Sequence, residues 1–131
     1  MRGILLIAHG DRTGDSLKQM QVLAQMVQEK SGAPVRYCFL QFTRPSVAEG
    51  LEEMRGENID VLVAVPVFLG GGVHVRDSIP NALGLSAGEA RGVFVLANGK
   101  EVPLVYAKPI GADPELAQLL LSRADAAVSL F

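Results

Sequence analysis

Apolar residues along this chain alternate between short unbroken runs and longer stretches in which they recur every three or four positions. Gly3 to Ala8 is a near-continuous aliphatic run, the pattern of a strand buried on both faces. Val35 to Leu40 is a second strand candidate, and Val61 to Val67 is the third and strongest. Leu104 to Ala107 is a short fourth. From Ser16 to Lys30, Leu17, Met20, Leu23, Ala24 and Val27 fall on one helical face, with Ser31-Gly32 as a stop. Pro45-Ser46 opens a helix carrying Val47, Leu51 and Met54. Asp113-Pro114-Glu115 joins an N-cap to a proline at the first helical position and starts a last helix through Leu116, Leu119, Leu120 and Ala124.

Strands that alternate with helices imply βαβ units and a parallel sheet with right-handed crossovers. The expected architecture is a four-stranded parallel sheet of order 2-1-3-4 with helices on both faces, a three-layer α/β sandwich. Residues 84 to 100, rich in glycine and alanine and ending in the turn signal Asn98-Gly99, are expected to form a loop or a small hairpin. No repeat, linker or low-complexity tract interrupts residues 1–131, so a single domain is expected.

Composition narrows the function classes. The 131 residues suffice to bury a core without staples, and 49% apolar with 20% charged residues is ordinary for a globular protein. A net charge of -2 gives no basis for binding nucleic acid. No apolar run approaches the roughly 20 residues of a membrane span, and the opening run is too short for a secretory h-region. Cytoplasm is therefore the expected location. Cys38 is the one cysteine and sits inside an apolar strand, so it is expected in the core.

In open parallel sheets, ligands bind beyond the carboxyl ends of the strands where the winding reverses, here between strands 1 and 3. Strand 1 ends in Ala8-His9-Gly10, and strand 3 runs into Val67-Phe68-Leu69-Gly70-Gly71-Gly72-Val73-His74. His9 and His74 are the two histidines of the chain, and the topology brings both to one crevice. Each alone is ordinary surface chemistry; together they make a candidate site for a metal ion or a proton, the roles that suit imidazole. Gly70-Gly71-Gly72 would let a ligand approach backbone closely, although a flexible loop accounts for it equally well. It is not a P-loop, and no dinucleotide fingerprint follows strand 1, so no nucleotide site is expected. Arg12, Arg44 and Arg76 follow strands 1, 2 and 3 and are candidates for carboxylate binding as much as for plain surface charge.

At these residues the chain resembles the small class II tetrapyrrole chelatases, the short sirohydrochlorin cobalt- or nickel-chelatases. The resemblance runs nearly end to end. It includes Ala8-His9-Gly10 with Arg12, Phe42-Thr43-Arg44-Pro45, Val65 to His74, Ile79-Pro80, and Pro109-Ile110-Gly111-Ala112-Asp113. It implies a chelatase-like, flavodoxin-like fold and ATP-independent insertion of Co²⁺, or else Ni²⁺ or Fe²⁺, into sirohydrochlorin, with no cofactor beyond the metal substrate. It also implies that His9 binds metal and accepts a proton, that His74 is the second metal ligand, that Leu69, Gly70, Gly71, Gly72 and Val73 line the macrocycle, and that Arg44 contacts it. Arg12 at the rim suits the substrate's carboxylates, and a homodimer is the implied assembly.

Three positions depart from the family pattern. Gln41 and Arg44 stand where carboxylates are common, and Ser78 stands where an aspartate often follows the second histidine by four residues, with Asp77 one residue early. These changes open an alternative of another class, a non-catalytic metal or tetrapyrrole carrier on the same fold. A histidine phosphatase also uses a histidine-glycine pair after its first strand, but needs an arginine where Ala8 stands.

Overall fold

The computed structural model describes residues 1–86 and 88–130. The elements run β1 (Arg2–Ala8), α1 (Asp15–Ser31), β2 (Val35–Phe39), α2 (Val47–Arg55), β3 (Val61–Pro66), a π-helical segment (His74–Ser78), α3 (Ile79–Ala82), β4 (Arg91–Val95), β5 (Glu101–Tyr106) and α4 (Pro114–Val128). The sheet order is β2-β1-β3-β5-β4. Within it β1 pairs with β2 and β3 in parallel, and β3 pairs with β5 in parallel. The expected 2-1-3-4 order is present with β5 as its fourth strand.

The sheet nevertheless has five strands and is mixed. β4 joins β5 as an antiparallel edge, with Phe94 opposite Val102 and Val93 opposite Pro103. The Asn98-Gly99 turn closes this hairpin, the Leu96 amide donating to the Lys100 carbonyl at 2.9 Å. Residues 84 to 100 thus supply the first strand and the turn of a hairpin, the second of the two expectations, and that strand extends the sheet. On β4 itself one side chain, Phe94, is buried, although Val93 to Ala97 is an unbroken apolar run. Edge strands need only one buried side, and a five-residue example leaves little period-two signal.

Two cores flank the sheet. Leu5, Ile7, Cys38, Leu62, Ala64 and Leu104 pack with Val47 and Met54 of α2 and Ile79 of α3 on one side. Ile4, Leu6, Ala8 and Phe39 pack with Met20 and Ala24 of α1 on the other. α2 begins with a capping box: Ser46 Oγ accepts from the Glu49 amide, and the Glu49 carboxylate accepts from the Ser46 amide. Cys38 is fully buried, and burial pushes its thiol up to about 12, so it is an inert core side chain as expected.

α1 covers only half of its face of the sheet. Ile4 is level with Val63, Leu6 with Val65, and Val63 with Val105, so these side chains share the α1 face. Val63, Val65 and Val105 are only half-buried, and Val93 beyond them is 64% exposed. The helix that follows β5 does not close the gap. α4 has no buried residue, and Leu119, Leu120 and Leu121 are all exposed.

A two-histidine crevice as the candidate active site

Because β1 and β3 are hydrogen-bonded neighbours, their carboxyl ends open side by side. The pairing continues one step past β3, where the Val67 amide donates to the Ile7 carbonyl at 2.8 Å. His9 leaves the end of β1, and His74 starts the π-helical segment after the 67–73 loop. Their ring centroids stand 4.9 Å apart at an interplanar angle of 64°. The two imidazoles, 65 positions apart in sequence, are brought edge to face across one crevice, both half-buried.

Each imidazole is oriented through Nδ1. His9 Nδ1 lies 3.0 Å from the Gly10 carbonyl oxygen. A carbonyl can only accept, so Nδ1 carries the hydrogen and the neutral ring presents its lone pair at Nε2. His74 Nδ1 lies 3.2 Å from Ser78 Oγ. His9 thus has Nε2 as its atom for a metal or a proton, and the Ser78 hydroxyl fixes the plane of the His74 ring. Ser78, at the place of the family's usual aspartate, therefore does orient the second histidine, through a hydroxyl instead of a carboxylate. Asp77 lines a cavity together with Arg76, Ser78, Pro80 and Asn81.

The loops holding the histidines are locked together. Leu40 and Gln41 amides donate to the Ala8 and His9 carbonyls at 3.0 and 2.9 Å. Thr43 Oγ1 accepts from the Asp11 amide at 3.0 Å and donates to the Asp11 carbonyl at 2.8 Å. The Asp11 carboxylate accepts from the Gly14 and Ser16 amides, tying the same loop to the start of α1. On the other wall, Ile110 and Gly111 amides donate to the Phe68 and Leu69 carbonyls, and Tyr106 Oη donates to the Val75 carbonyl at 2.7 Å. That last bond satisfies a carbonyl within the π-helical segment; such segments occur at functional sites more often than chance. Asp11, Thr43 and Tyr106 are positioning groups missed from sequence. Only their place beside strand ends signals them.

The remaining candidates divide. Leu69 and Val73 are 64% and 58% exposed, and the glycines between them are exposed as well. A Cβ on Gly70, Gly71 or Gly72 would meet nothing within 4 Å, so this loop leaves space beside His74 for a bulky ligand. Arg12 is exposed near the His9 side, its guanidinium carbon 4.4 Å from the centroid of the Phe42 ring. Arg44 is engaged differently from expectation: its guanidinium binds the Glu49 carboxylate through Nε and Nη2 at the start of α2. That pairing holds the Glu49 carboxyl down at about 2 and raises Arg44. Arg76 points outward beside Asp77. Arg12 is the arginine that the structure leaves open next to a histidine. Among the described residues no cluster of three or more His, Cys, Asp or Glu side chains forms, and no helix is long and apolar enough to cross a membrane.

Known proteins resemble this chain in sequence and in fold. A family model described as CbiX matches residues 3–127. The sirohydrochlorin cobaltochelatase of Methanosarcina acetivorans is 36% identical over 128 residues, covering 96% of both chains. That of Methanothermobacter thermautotrophicus is 31% identical, covering 96% of this chain and 92% of the relative. Among solved structures, a cobalamin (vitamin B12) biosynthesis CbiX protein of Marinobacter aquaeolei superposes over the full length of both chains with a TM-score of 0.70 at 19% identity. A multidomain Deinococcus radiodurans protein with structural similarity to chelatases gives 0.72 at 25% identity over 28% of its length. With nearly its whole length matched and both histidines at the strand ends, the chain belongs to the CbiX family.

Proposed function

We propose that the chain inserts a divalent metal ion, Co²⁺ first and Ni²⁺ or Fe²⁺ as alternatives, into sirohydrochlorin without ATP. The observation that carries this reading is the pair of imidazoles 4.9 Å apart, each held through Nδ1. The relatives named sirohydrochlorin cobaltochelatase supply the substrate class. Metal insertion exchanges two pyrrole N–H protons for one M²⁺, with charge conserved. His9 Nε2 accepts one proton and releases it to solvent before taking the second, and His74 holds the ion as it sheds water. A single neutral ligand holds an ion weakly, which suits an ion that must be passed on to the four ring nitrogens. Such ligands set no strong preference among the three metals, whose affinities follow one general series, so supply and geometry decide. The exposed apolar Leu69 and Val73 suit the macrocycle's flat surface, and Arg12 its carboxylates.

A second reading is favoured by Gln41 and Ser78, which replace carboxylates that could take up protons: a carrier that binds metal or tetrapyrrole without turnover. One experiment separates the two. Protein at a few per cent of the sirohydrochlorin concentration is mixed with Co²⁺, Ni²⁺ or Fe²⁺, and the absorbance change is followed. Many equivalents metallated faster than the spontaneous reaction is the expected result. Uptake stopping at one equivalent supports the carrier, and no acceleration with any of the three metals sinks the chelatase.

We further propose that the working unit is a homodimer built on α4. In one chain both the Leu119-Leu120-Leu121 stretch and the sheet strip of Val63, Val65, Val93 and Val105 lack cover. Reciprocal docking of two helices on two strips engages four surfaces of about 22 by 12 Å, together about 1,000 Å², the size at which a specific interface becomes stable. Light scattering behind size exclusion is expected to give twice the chain mass, and Leu119→Asp with Leu120→Asp to give a folded monomer. A monomeric parent protein, or a dimer indifferent to both changes, overturns this assembly.

A further inference from the structure

We infer that Phe42 is a substrate-positioning residue: its ring forms the macrocycle's resting edge beside His9 and fixes the Arg12 guanidinium toward a peripheral carboxylate. The inference rests on the chelatase reading and names a contact which that reading does not use.

Four observations carry it. Phe42 has φ 65, and it is the one non-glycine residue with positive φ among the described residues. It sits at the apex of a tight turn in which the Thr43 amide donates to the Gln41 carbonyl at 2.7 Å. A three-residue turn with positive φ at its centre is rare and strained for any side chain with a Cβ. Strain of this kind persists where the surroundings over-determine it, and it concentrates at ligand sites. Here the surroundings are the bonds from Leu40 and Gln41 to β1's end and from Thr43 to Asp11.

Packing gives no return on that strain. Phe42 is 54% exposed and belongs to neither core. What the strain does achieve is placement. The ring centroid is held 6.1 Å from that of His9, on the same crevice as His74, and the Arg12 guanidinium is stacked on it at 4.4 Å. An arginine in a loop ordinarily samples many rotamers, and the aromatic face removes that freedom before a ligand arrives. A flat apolar surface, a fixed cation and a proton-accepting imidazole then lie in one row. The ligand chemistry that fits the row is a flat conjugated ring with anionic substituents on its rim.

The test uses Phe42→Gly, because a core residue and a positioning residue predict opposite outcomes. Glycine relieves the positive φ, so the melting temperature is expected to stay level or rise. The KM for sirohydrochlorin is expected to increase about tenfold, the scale of one lost aromatic stacking contact, with the KM for Co²⁺ and kcat little changed. Phe42→Tyr, which keeps ring and stacking, is expected to retain the parental KM. Arg12→Ala should raise the same KM, and combining it with Phe42→Gly should add little, since the two act as a unit. Unchanged KM in Phe42→Gly, a fall in kcat alone, or a clear drop in melting temperature overturns the inference and leaves the chelatase reading intact. A parent protein that neither metallates sirohydrochlorin nor binds it in an absorbance titration overturns both.

Discussion

Replacing His9 with alanine is expected to bring cobalt insertion into sirohydrochlorin down by roughly 10²- to 10⁴-fold, toward the spontaneous rate, the range typical of a lost general base. The Gly10 carbonyl fixes the hydrogen on Nδ1, so the lone pair at Nε2 belongs to a neutral ring ready to take a pyrrole proton. His74, 4.9 Å away, is the one other imidazole of the chain, and in the proposed mechanism it is occupied by the ion. Gln41, the next polar side chain along that wall, carries an amide that does not accept protons, and Ser78 is already turned to His74. His74→Ala is expected to act on the other substrate, raising the KM for Co²⁺ while leaving tetrapyrrole binding in place, because in the proposed mechanism it holds the ion. Initial rates at saturating sirohydrochlorin over a Co²⁺ series separate the two variants. A His9→Ala protein that keeps the parental rate removes proton transfer by this side chain from the mechanism, and equal effects of both variants on the metal KM would make them a shared ligand pair instead.

The two histidines were legible from the sequence because their positions depend on topology alone. β1 and β3 are aliphatic runs whose order follows from βαβ winding, so His9, one residue beyond β1, and His74, which follows β3 after the 67–73 loop, both come to the shared edge. The arginines were not legible in the same way. Arg12, Arg44 and Arg76 all follow strands, yet the capping box at α2 brings the Glu49 carboxylate to Arg44, and the π-helical segment turns Arg76 outward. Those outcomes depend on one helix start and one extra residue in a helical turn, neither of which changes the hydrophobic pattern. β4 escaped for a different reason: its apolar run from Val93 to Ala97 is short and lies in a glycine-rich segment, where periodicity alone does not separate a sheet strand from a loop. Phe42 was visible only as a member of a motif, since φ is a property of the folded loop and its neighbours.

Gly10→Ala is expected to lower the melting temperature by about 10 °C and the metallation rate by about a hundredfold, although it removes no functional group. Two separable costs meet at this position. Gly10 has φ +94, which an L side chain adopts only under strain, and a Cβ there would lie 1.9 Å from the Gln41 carbonyl oxygen. That oxygen is backbone, in the loop clamped to β1 by the Gln41 amide and to Asp11 through Thr43, so it cannot rotate away. The loops must separate, and His9, bonded through Nδ1 to the Gly10 carbonyl, moves with them. Strain and clash together are worth about 3 kcal/mol. Gly14 supplies the control. Its φ is +86 in the same loop, but a Cβ there meets nothing within 4 Å. Gly14→Ala should therefore show the conformational cost alone, about 1 kcal/mol, and should keep its metallation rate. Equal losses of rate in the two variants would mean that loop strain in general, and not the contact between the two loops, sets the position of the imidazole. A Gly10→Ala protein with parental melting and rate would mean that the crevice does not depend on that contact at all.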